Sequence, residues 1–357
     1  MTSPSERRAH VVGLGLIGAS IARSLGAAGW TVTGSDRDDA VTHRAVELAI
    51  VTGSEPVPAT TLVVIATPAG DVVELAHDAL KRIDDPEAIV TDVAGVKSAI
   101  VAAVSDPRFI GGHPMAGSEQ RGLDASRADL FKGCTWVLTP TAVTEPGHYS
   151  RLHGYLRELG ANVVAITAED HDRLVALASH VPHLVAGALM NEASLAAEQD
   201  AVLLQLAAGG FRDMTRIAAG DPSIWPDVLF ENREAITRTL QSLEERLATI
   251  RAALNDGRRD EVAAKLAMAS LARRQLPGRA LSADRLSYLR VAVSDRPGEL
   301  ATVTVAASDM AVNIFDIEIA HGIEGVSGTL LLAVDADHAS RFRDTLVAMG
   351  FSVTLER

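Results

Sequence analysis

The sequence is short of cysteine, of positive charge and of long apolar runs. Cys134 is the single cysteine, which excludes an internal disulfide and a cysteine-based metal cluster and fits a reducing cytoplasm. The formal charge of −13 argues against nucleic acid or an anionic membrane as partner. Apolar runs stay below the roughly 18 residues of a membrane span, and the N-terminus shows no secretory signal pattern. These absences favour a cytoplasmic protein that acts on small molecules.

What remains is an ordinary globular composition that divides into three parts. At 357 residues the chain has room for two or three domains of about 150 residues each. Strand and helix patterns alternate in the first part, which predicts a mostly parallel, doubly wound sheet. The middle part has helical patterns only, and the last part runs βαββαβ, the ferredoxin-like order. The predicted domains are residues 1–166 and 167–277, a linker 278–287, and residues 288–357.

A glycine-rich turn between the first strand and the first helix predicts a dinucleotide site. Gly13-Leu14-Gly15-Leu16-Ile17-Gly18 matches the fingerprint of a Rossmann-type domain, and Asp36 follows at the end of the second strand, where it can bind the adenosine ribose. Because this carboxylate would repel a 2′-phosphate, NAD is favoured over NADP, although Arg37 tempers that preference. Thr67-Pro68, after the next strand, would line the same crevice.

A histidine within a cluster of turn residues is the candidate catalytic group. His113 lies in Gly111-Gly112-His113-Pro114, at the end of a predicted sheet strand. An imidazole there can accept a hydroxyl proton as hydride leaves the same carbon, since its ordinary pKa is near 6.5. The alternative is a structural histidine that caps a loop.

The helical region contains further candidates for ligand binding. His180 and His183 share one helix face around Pro182, which is expected to kink the helix of residues 168–199. Their HxxH spacing resembles a metal site, but no third ligand accompanies it, so no metal is predicted. Arg212 and Arg216 stand in loops before Trp225, and arginine is the natural partner of a carboxylate. A solvated charged face is the alternative, and the one we favour for Arg212.

A long amphipathic segment predicts association between copies of the chain. Residues 226–255 carry apolar side chains at alternating steps of four and three, which form a seam that needs a partner helix. Packing within the same domain is the alternative, but the spacing favours a homodimer. The seam residues are Ile236, Leu240, Leu243, Leu247, Ile250 and Leu254.

Together these motifs resemble the prephenate/arogenate dehydrogenase family with a C-terminal ACT domain. The motifs are GLGLIG with Asp36, GGHPMAGSE, SHVPH, GFRDMTRIA with DPSIW, and DRPGEL. The resemblance implies NAD-dependent oxidative decarboxylation in tyrosine biosynthesis. In that reaction His113 takes the proton of the ring hydroxyl, hydride passes to the nicotinamide, and the ring carboxylate leaves as carbon dioxide. It also implies substrate contacts by His183, Arg216, Glu119, Asp213 and Trp225, with His180 beside them.

One position departs from the family pattern. Gly95 stands where the family commonly has a serine whose hydroxyl helps to position the catalytic histidine or the substrate. The fine geometry of the site, and with it substrate preference, is affected, whereas the reaction class is not.

The tail resembles a regulatory module that binds an amino acid between its first strand and first helix. Gly298 would let a ligand carboxylate approach backbone amides there. Tyrosine, as the end product, is the expected effector, and the alternative is a dimerising module with an empty site. The residues implied are Asp295, Pro297, Gly298, Glu299, Leu300 and Asn313.

Two other functions compete with this interpretation. A β-hydroxyacid-type dehydrogenase would use Lys97 as its acid/base group, and a non-catalytic sensor would bind NAD and an amino acid. The sequence does not separate prephenate from arogenate.

Overall fold

The computed structural model describes most of the chain, and contacts between residues divide it into two compact units. The first unit comprises residues 1–195 and 215–244, and the second comprises residues 196–214 and 245–357. The described residues are 7–116, 120–199, 202–203, 206–220, 222, 225–275, 286–294, 299–310, 312, 314–321 and 327–356.

The first unit is built on a seven-stranded sheet of order β2-β1-β3-β4-β5-β6-β7. Strands β1 to β5 are parallel, β6 runs antiparallel to β5, and β7 is parallel to β6. The predicted doubly wound, Rossmann-type sheet is therefore present, with the direction reversed in its last two strands. The strands are β1 (Arg8–Val12), β2 (Thr31–Ser35), β3 (Leu62–Ile65), β4 (Ile89–Asp92), β5 (Phe109–Pro114), β6 (Thr135–Thr139) and β7 (Asn162–Ala165).

Helices cover both faces of this sheet. Strands β3 and β4 are buried along their whole length, as their continuous apolar runs predict. One core cluster gathers side chains such as Ile21 and Trp136, and another gathers side chains such as Val72 and Ile100. The helices are α1 (Leu16–Ala27), α2 (Asp39–Glu47), α3 (Ala69–Arg82), α4 (Ser98–Ala103) and α5 (Pro146–Glu158).

The region after β7 is helical and includes a π turn that the sequence pattern did not predict. Helix α6 (Ala168–Val175) continues through a π turn, Ala176–His180, into α7 (Val181–Gln199). Pro182, where a kink was expected, lies in the first turn of α7, just after the π turn. Prolines and π turns are both usual sites of helix kinks.

The predicted amphipathic helix is interrupted at Asn232. It forms α9 (Trp225–Glu231) and α10 (Arg233–Asn255), which follow α8 (Gly209–Thr215) and precede α11 (Arg259–Arg274). Ile236 packs in a small core with Ala176 and Val181, whereas Leu247 and Leu254 are exposed. The N-terminal half of the seam therefore packs within its own unit, whereas Leu247 and Leu254 in the C-terminal half are exposed to solvent.

One prediction about apolar segments was wrong. Within Ala168–Glu198 an 18-residue window has a mean hydropathy of 1.3, which is apolar and long enough to cross a membrane. The sequence pattern hid this because His180 and His183 interrupt the apolar run without adding charge. Length and composition do not by themselves assign a helix to a membrane, since core helices share these properties.

The C-terminal module has the predicted βαββαβ order. Its strands pair antiparallel throughout, in the order β11-β8-β10-β9, and two helices pack on the sheet through side chains such as Val303 from the first and Phe342 from the second. The elements are β8 (Leu286–Ser294), α12 (Glu299–Asp309), β9 (Ile314–His321), β10 (Ser327–Asp335), α13 (Ala336–Ala348) and β11 (Ser352–Glu356).

Candidate active site

The glycine turn after β1 has the close contacts that the dinucleotide fingerprint requires. Gly13 has a φ of +92°, and a Cβ there would stand 2.4 Å from the Ala66 carbonyl oxygen. A Cβ on Gly18 would stand 1.9 Å from the Gly13 carbonyl oxygen. Both glycines are therefore required by the packing of helix α1 against strands β1 and β3.

The N-terminus of α1 is shaped to receive an anion. Gly15 is its N-cap, and among the described residues no side chain caps it and no acidic residue stands in its first turn. A Cβ at Gly15 would meet no atom within 4 Å, so the space in front of the helix amides is open. Leu16 and Ile17 are partly buried behind this opening. The site thus fits the pyrophosphate of a dinucleotide.

Asp36 is held in place by the same turn. Its carboxylate accepts hydrogen bonds from the backbone amides of Leu14 (2.7 Å) and Asp38 (3.1 Å). An acidic side chain fixed at the end of β2 fits the ribose of NAD. Arg37 beside it is exposed.

Thr67 and Pro68 stand at the end of the neighbouring strand. The Thr67 methyl lies 3.1 Å from the Cβ position of Gly13, and Pro68 is the N-cap of α3. Because β1, β3, β4 and β5 are parallel, their carboxyl ends share this edge of the sheet with His113.

His113 is half-buried near the end of β5, inside the strand and not in the turn after it. Its Cε1 and Nε2 atoms both lie 3.8 Å from the position of a Cβ on Gly95. The ring therefore has open space on its Nε2 side where the family serine would stand.

His171 and Asp172, which the sequence patterns did not single out, lie beside His113. His113 Nδ1 lies 2.8 Å from Nε2 of His171, whose Nδ1 lies 2.8 Å from Oδ1 of Asp172. His171 is fully buried. The pair lies in the first turns of α6, whose N-cap is Thr167, and a His-Asp dipeptide at this place in a helix was the one available signal.

Burial sets the protonation state of this cluster. It holds the pKa of His113 well below the ordinary 6.5, and the proximity of His171 and of the Lys97 ammonium lowers it further. Burial raises the pKa of Asp172, but hydrogen bonds from His171, Ser98 and the Lys97 amide outweigh this and lower it overall. At neutral pH the site therefore holds a neutral His113 and an ionised Asp172.

Lys97 has no exposed surface and forms an ion pair with Asp92. Burial lowers the pKa of Lys97, against the attraction of Asp92. The Asp92 carboxylate also accepts hydrogen bonds from the amides of Ala94 (2.9 Å) and Gly112 (3.1 Å). This arrangement ties β4 to β5 and holds the Lys97 side chain in the interior, paired with Asp92.

His180 is connected to the same cluster through Asn232. The Asn232 side-chain amide donates to the Asp172 carbonyl (2.8 Å) and lies 3.2 Å from Nδ1 of His180. Burial lowers the pKa of His180 to about 4. Asn232 lies between α9 and α10, so its side chain joins these helices to α6.

Trp225 connects the two histidines of the HxxH pattern. Its ring stacks on His183 with centroids 3.7 Å apart and 15° between planes, and the His180 ring lies 6.3 Å away, edge-on. Burial lowers the pKa of His183. A Cβ on Gly220 would stand 3.8 Å from His183, and the 3-10 turn that begins at Arg216 leads into this glycine.

The remaining predicted substrate residues are not placed in the site. Asp213 is exposed on α8, and Glu119 lies outside the described residues. Groups of three or more potential metal ligands are absent from the part of the chain that the structure describes.

The fold and the dinucleotide turn are those of a dinucleotide-dependent dehydrogenase. The prephenate dehydrogenase nucleotide-binding domain family matches residues 21–165, and the prephenate dehydrogenase dimerization domain family matches residues 167–268. The chain is 30% identical over 344 residues to the prephenate dehydrogenase of Bacillus subtilis, covering 92% of both chains. This chain belongs to the prephenate dehydrogenase family, and its cofactor is NAD.

Two solved structures agree with this assignment. Prephenate dehydrogenase from A. aeolicus, in complex with hydroxyphenyl propionate and NAD+, is 29% identical with a TM-score of 0.72 over 77% of this chain and 100% of that chain. Synechocystis arogenate dehydrogenase is 32% identical with a TM-score of 0.66 over 74% of this chain and 98% of that chain.

Proposed function

We propose that this protein catalyses the NAD-dependent oxidative decarboxylation of prephenate, arogenate or both, in tyrosine biosynthesis in the cytoplasm. The observation that carries the proposal is His113, neutral and half-buried at the sheet edge it shares with the dinucleotide turn. Its open Nε2 side accepts the proton of the ring hydroxyl. Bound NAD supplies the hydride acceptor. Loss of the ring carboxylate as carbon dioxide then leaves an aromatic product.

Substrate binding is assigned to the residues around Trp225. Arg216 supplies the charge partner that a substrate carboxylate needs in a protein of net charge −13. His183, stacked on Trp225, presents a ring whose lowered pKa keeps it neutral. We assign His180, Asp213 and Glu119 to the same pocket from their motif positions alone.

The stoichiometry of the reaction tests the proposal. Incubation with NAD and prephenate should yield NADH, carbon dioxide and 4-hydroxyphenylpyruvate in equal amounts, and arogenate should yield tyrosine instead. NADH without carbon dioxide would indicate a simple alcohol dehydrogenase and would contradict the proposal.

The pH profile of kcat/KM reports the protonation of His113. A base acts only when neutral, so its lowered pKa should keep kcat/KM level as pH falls from 8 to about 6.5, with the loss appearing only below. Initial rates across this range, compared with a profile of NAD affinity, measure it. An inflection of kcat/KM above pH 6.5, with none in the NAD-affinity profile, would contradict the assignment of His113 as the base.

Gly95→Ser should change the rate constants without abolishing activity. A Cβ at this position is 3.8 Å from His113 Nε2, so a serine hydroxyl can come within hydrogen-bond distance. One such bond corresponds to a change of up to about tenfold in kcat or KM. Gly154→Ser, where a Cβ meets no atom within 4 Å, is the control. Complete inactivity of Gly95→Ser alone would contradict the expectation.

We assign a homodimer to the helical domain. Large apolar side chains stay exposed in the described part of α10 and α11, and a second copy would cover them. They are Leu247, Leu254, Leu266, Met268 and Leu271. Sedimentation equilibrium tests this assignment, and a monomer at micromolar concentration would contradict it.

The C-terminal module is assigned as an ACT-like regulatory domain that binds tyrosine. Its βαββαβ order supports the assignment. Glu299 begins helix α12 and Leu300 follows it, whereas Asp295, Pro297, Gly298 and Asn313 lie outside the described residues. Titration with tyrosine should inhibit NADH formation, and Gly298→Val should relieve inhibition without changing the uninhibited rate. Inhibition that Gly298→Val leaves unaltered would place the tyrosine site elsewhere.

A further inference from the structure

We propose that His171 and Asp172 are positioning residues that fix the tautomer of His113, so that Nε2 is the basic atom. The inference rests on the proposed function, since it concerns how His113 serves as the base. It is carried by a continuous line of contacts from His113 Nδ1 through both nitrogens of His171 to the Asp172 carboxylate.

Asp172 is the fixed end of this line. Its Oδ1 accepts a hydrogen bond from the Lys97 amide and its Oδ2 accepts one from the Ser98 amide, both at 2.8 Å. These amides belong to the segment that carries Gly95 and then begins helix α4. The carboxylate is thus acceptor-only and immobile, and it is anchored to the same loop that lines the Nε2 side of His113.

The Asp172 carboxylate determines the direction of each hydrogen bond in this line of contacts. Because the Asp172 carboxylate has no proton to give, Nδ1 of His171 is the donor to it. When His171 carries only this proton, its Nε2 has a lone pair and accepts from Nδ1 of His113. The proton of neutral His113 therefore resides on Nδ1, and Nε2, beside Gly95, is free to accept the proton of a substrate hydroxyl.

The other charged and titratable groups around the pair are themselves held by partners. Lys97, on the β4 side, is paired with Asp92, and His180, at the end of the π turn, lies against the Asn232 amide. Asn232 also donates to the Asp172 carbonyl, which holds the backbone of the pair in place. When His113 takes a proton, the Asp172 carboxylate stabilises the imidazolium through His171.

Nuclear magnetic resonance tests the tautomer directly and needs no turnover. The chain labelled with 15N-histidine contains 11 histidines, and the difference from His113→Asn identifies the His113 nitrogens. At neutral pH we expect a protonated Nδ1 and an unprotonated Nε2. The opposite tautomer would overturn the inference and leave the proposed activity intact.

The kinetics of three variants test how the tautomer of His113 affects kcat. His171→Leu should lower kcat by about 10–100-fold with KM nearly unchanged, because the alternative tautomer is no longer disfavoured. His171→Gln, whose carbonyl can accept from His113 Nδ1, should recover most of the loss. His148→Leu is the matched control. His148 is buried like His171, but its ring nitrogens contact the backbone carbonyls of Pro86 and Pro107 and not His113. Equal kcat values in His171→Leu and wild type, with NAD affinity retained, would overturn the inference.

Discussion

Replacing His113 by asparagine is expected to lower kcat by about 10²–10⁴-fold, the usual contribution of a general base. Asparagine keeps a hydrogen-bonding side chain of similar size in β5, so the sheet and the dinucleotide turn should remain intact. Affinity for NAD, measured by fluorescence quenching or calorimetry, should therefore be unchanged. The loss should be in kcat and not in KM, because the proton is transferred only as the reaction proceeds.

The control for this variant is His148→Asn in the same sheet domain. His148 is buried and lies 3.1 Å from the Pro107 carbonyl and 3.0 Å from the Pro86 carbonyl, at the opposite ends of the strands. It should lose stability and keep its kcat. If His113→Asn retained wild-type activity, the base would have to be another group, and the rival role for Lys97 would return.

Gly18→Ala is expected to weaken NAD binding by about 100-fold, as a displacement of about 1 Å does at an organised site. The added Cβ would stand 1.9 Å from the Gly13 carbonyl oxygen and 3.0 Å from the Ala66 Cβ. Because these contacts are backbone and strand atoms, the N-terminus of α1 must move away from the turn. Direct titration with NAD measures the effect, and a thermal melt shows how much folding stability is lost.

Gly26→Ala, near the other end of the same helix, separates the two effects. A Cβ there meets no atom within 4 Å, so the substitution should raise stability by about 0.5–1 kcal/mol and leave NAD affinity unchanged. Unchanged NAD affinity in Gly18→Ala would mean that the turn does not hold the dinucleotide.

Those parts of the fold that depend on local pattern could be predicted from the sequence. The glycine turn with Asp36 predicted the first βαβ unit, since the glycine spacing between a strand and a helix is itself a local pattern. The βαββαβ order of the C-terminal module followed in the same way from period-two and period-3.6 patterns. His113 was identified because it stands among glycines at a strand end.

The parts that depend on distant contacts could not be predicted. His171 contacts His113 across 58 positions of sequence, and no spacing rule links an α6 residue to the end of β5. The bond from Asn232 to the Asp172 carbonyl could not be predicted because it joins positions 60 residues apart. The π turn before Pro182 depends on packing, and α7 continues beyond it.

The most direct test of the proposed activity is the initial rate of NADH formation from NAD, with prephenate and arogenate assayed in parallel. We expect reduction of NAD with at least one of the two substrates, lost in His113→Asn and retained in His148→Asn. If neither substrate were oxidised by protein that still binds NAD, the proposed activity would be contradicted and a sensor function would replace it.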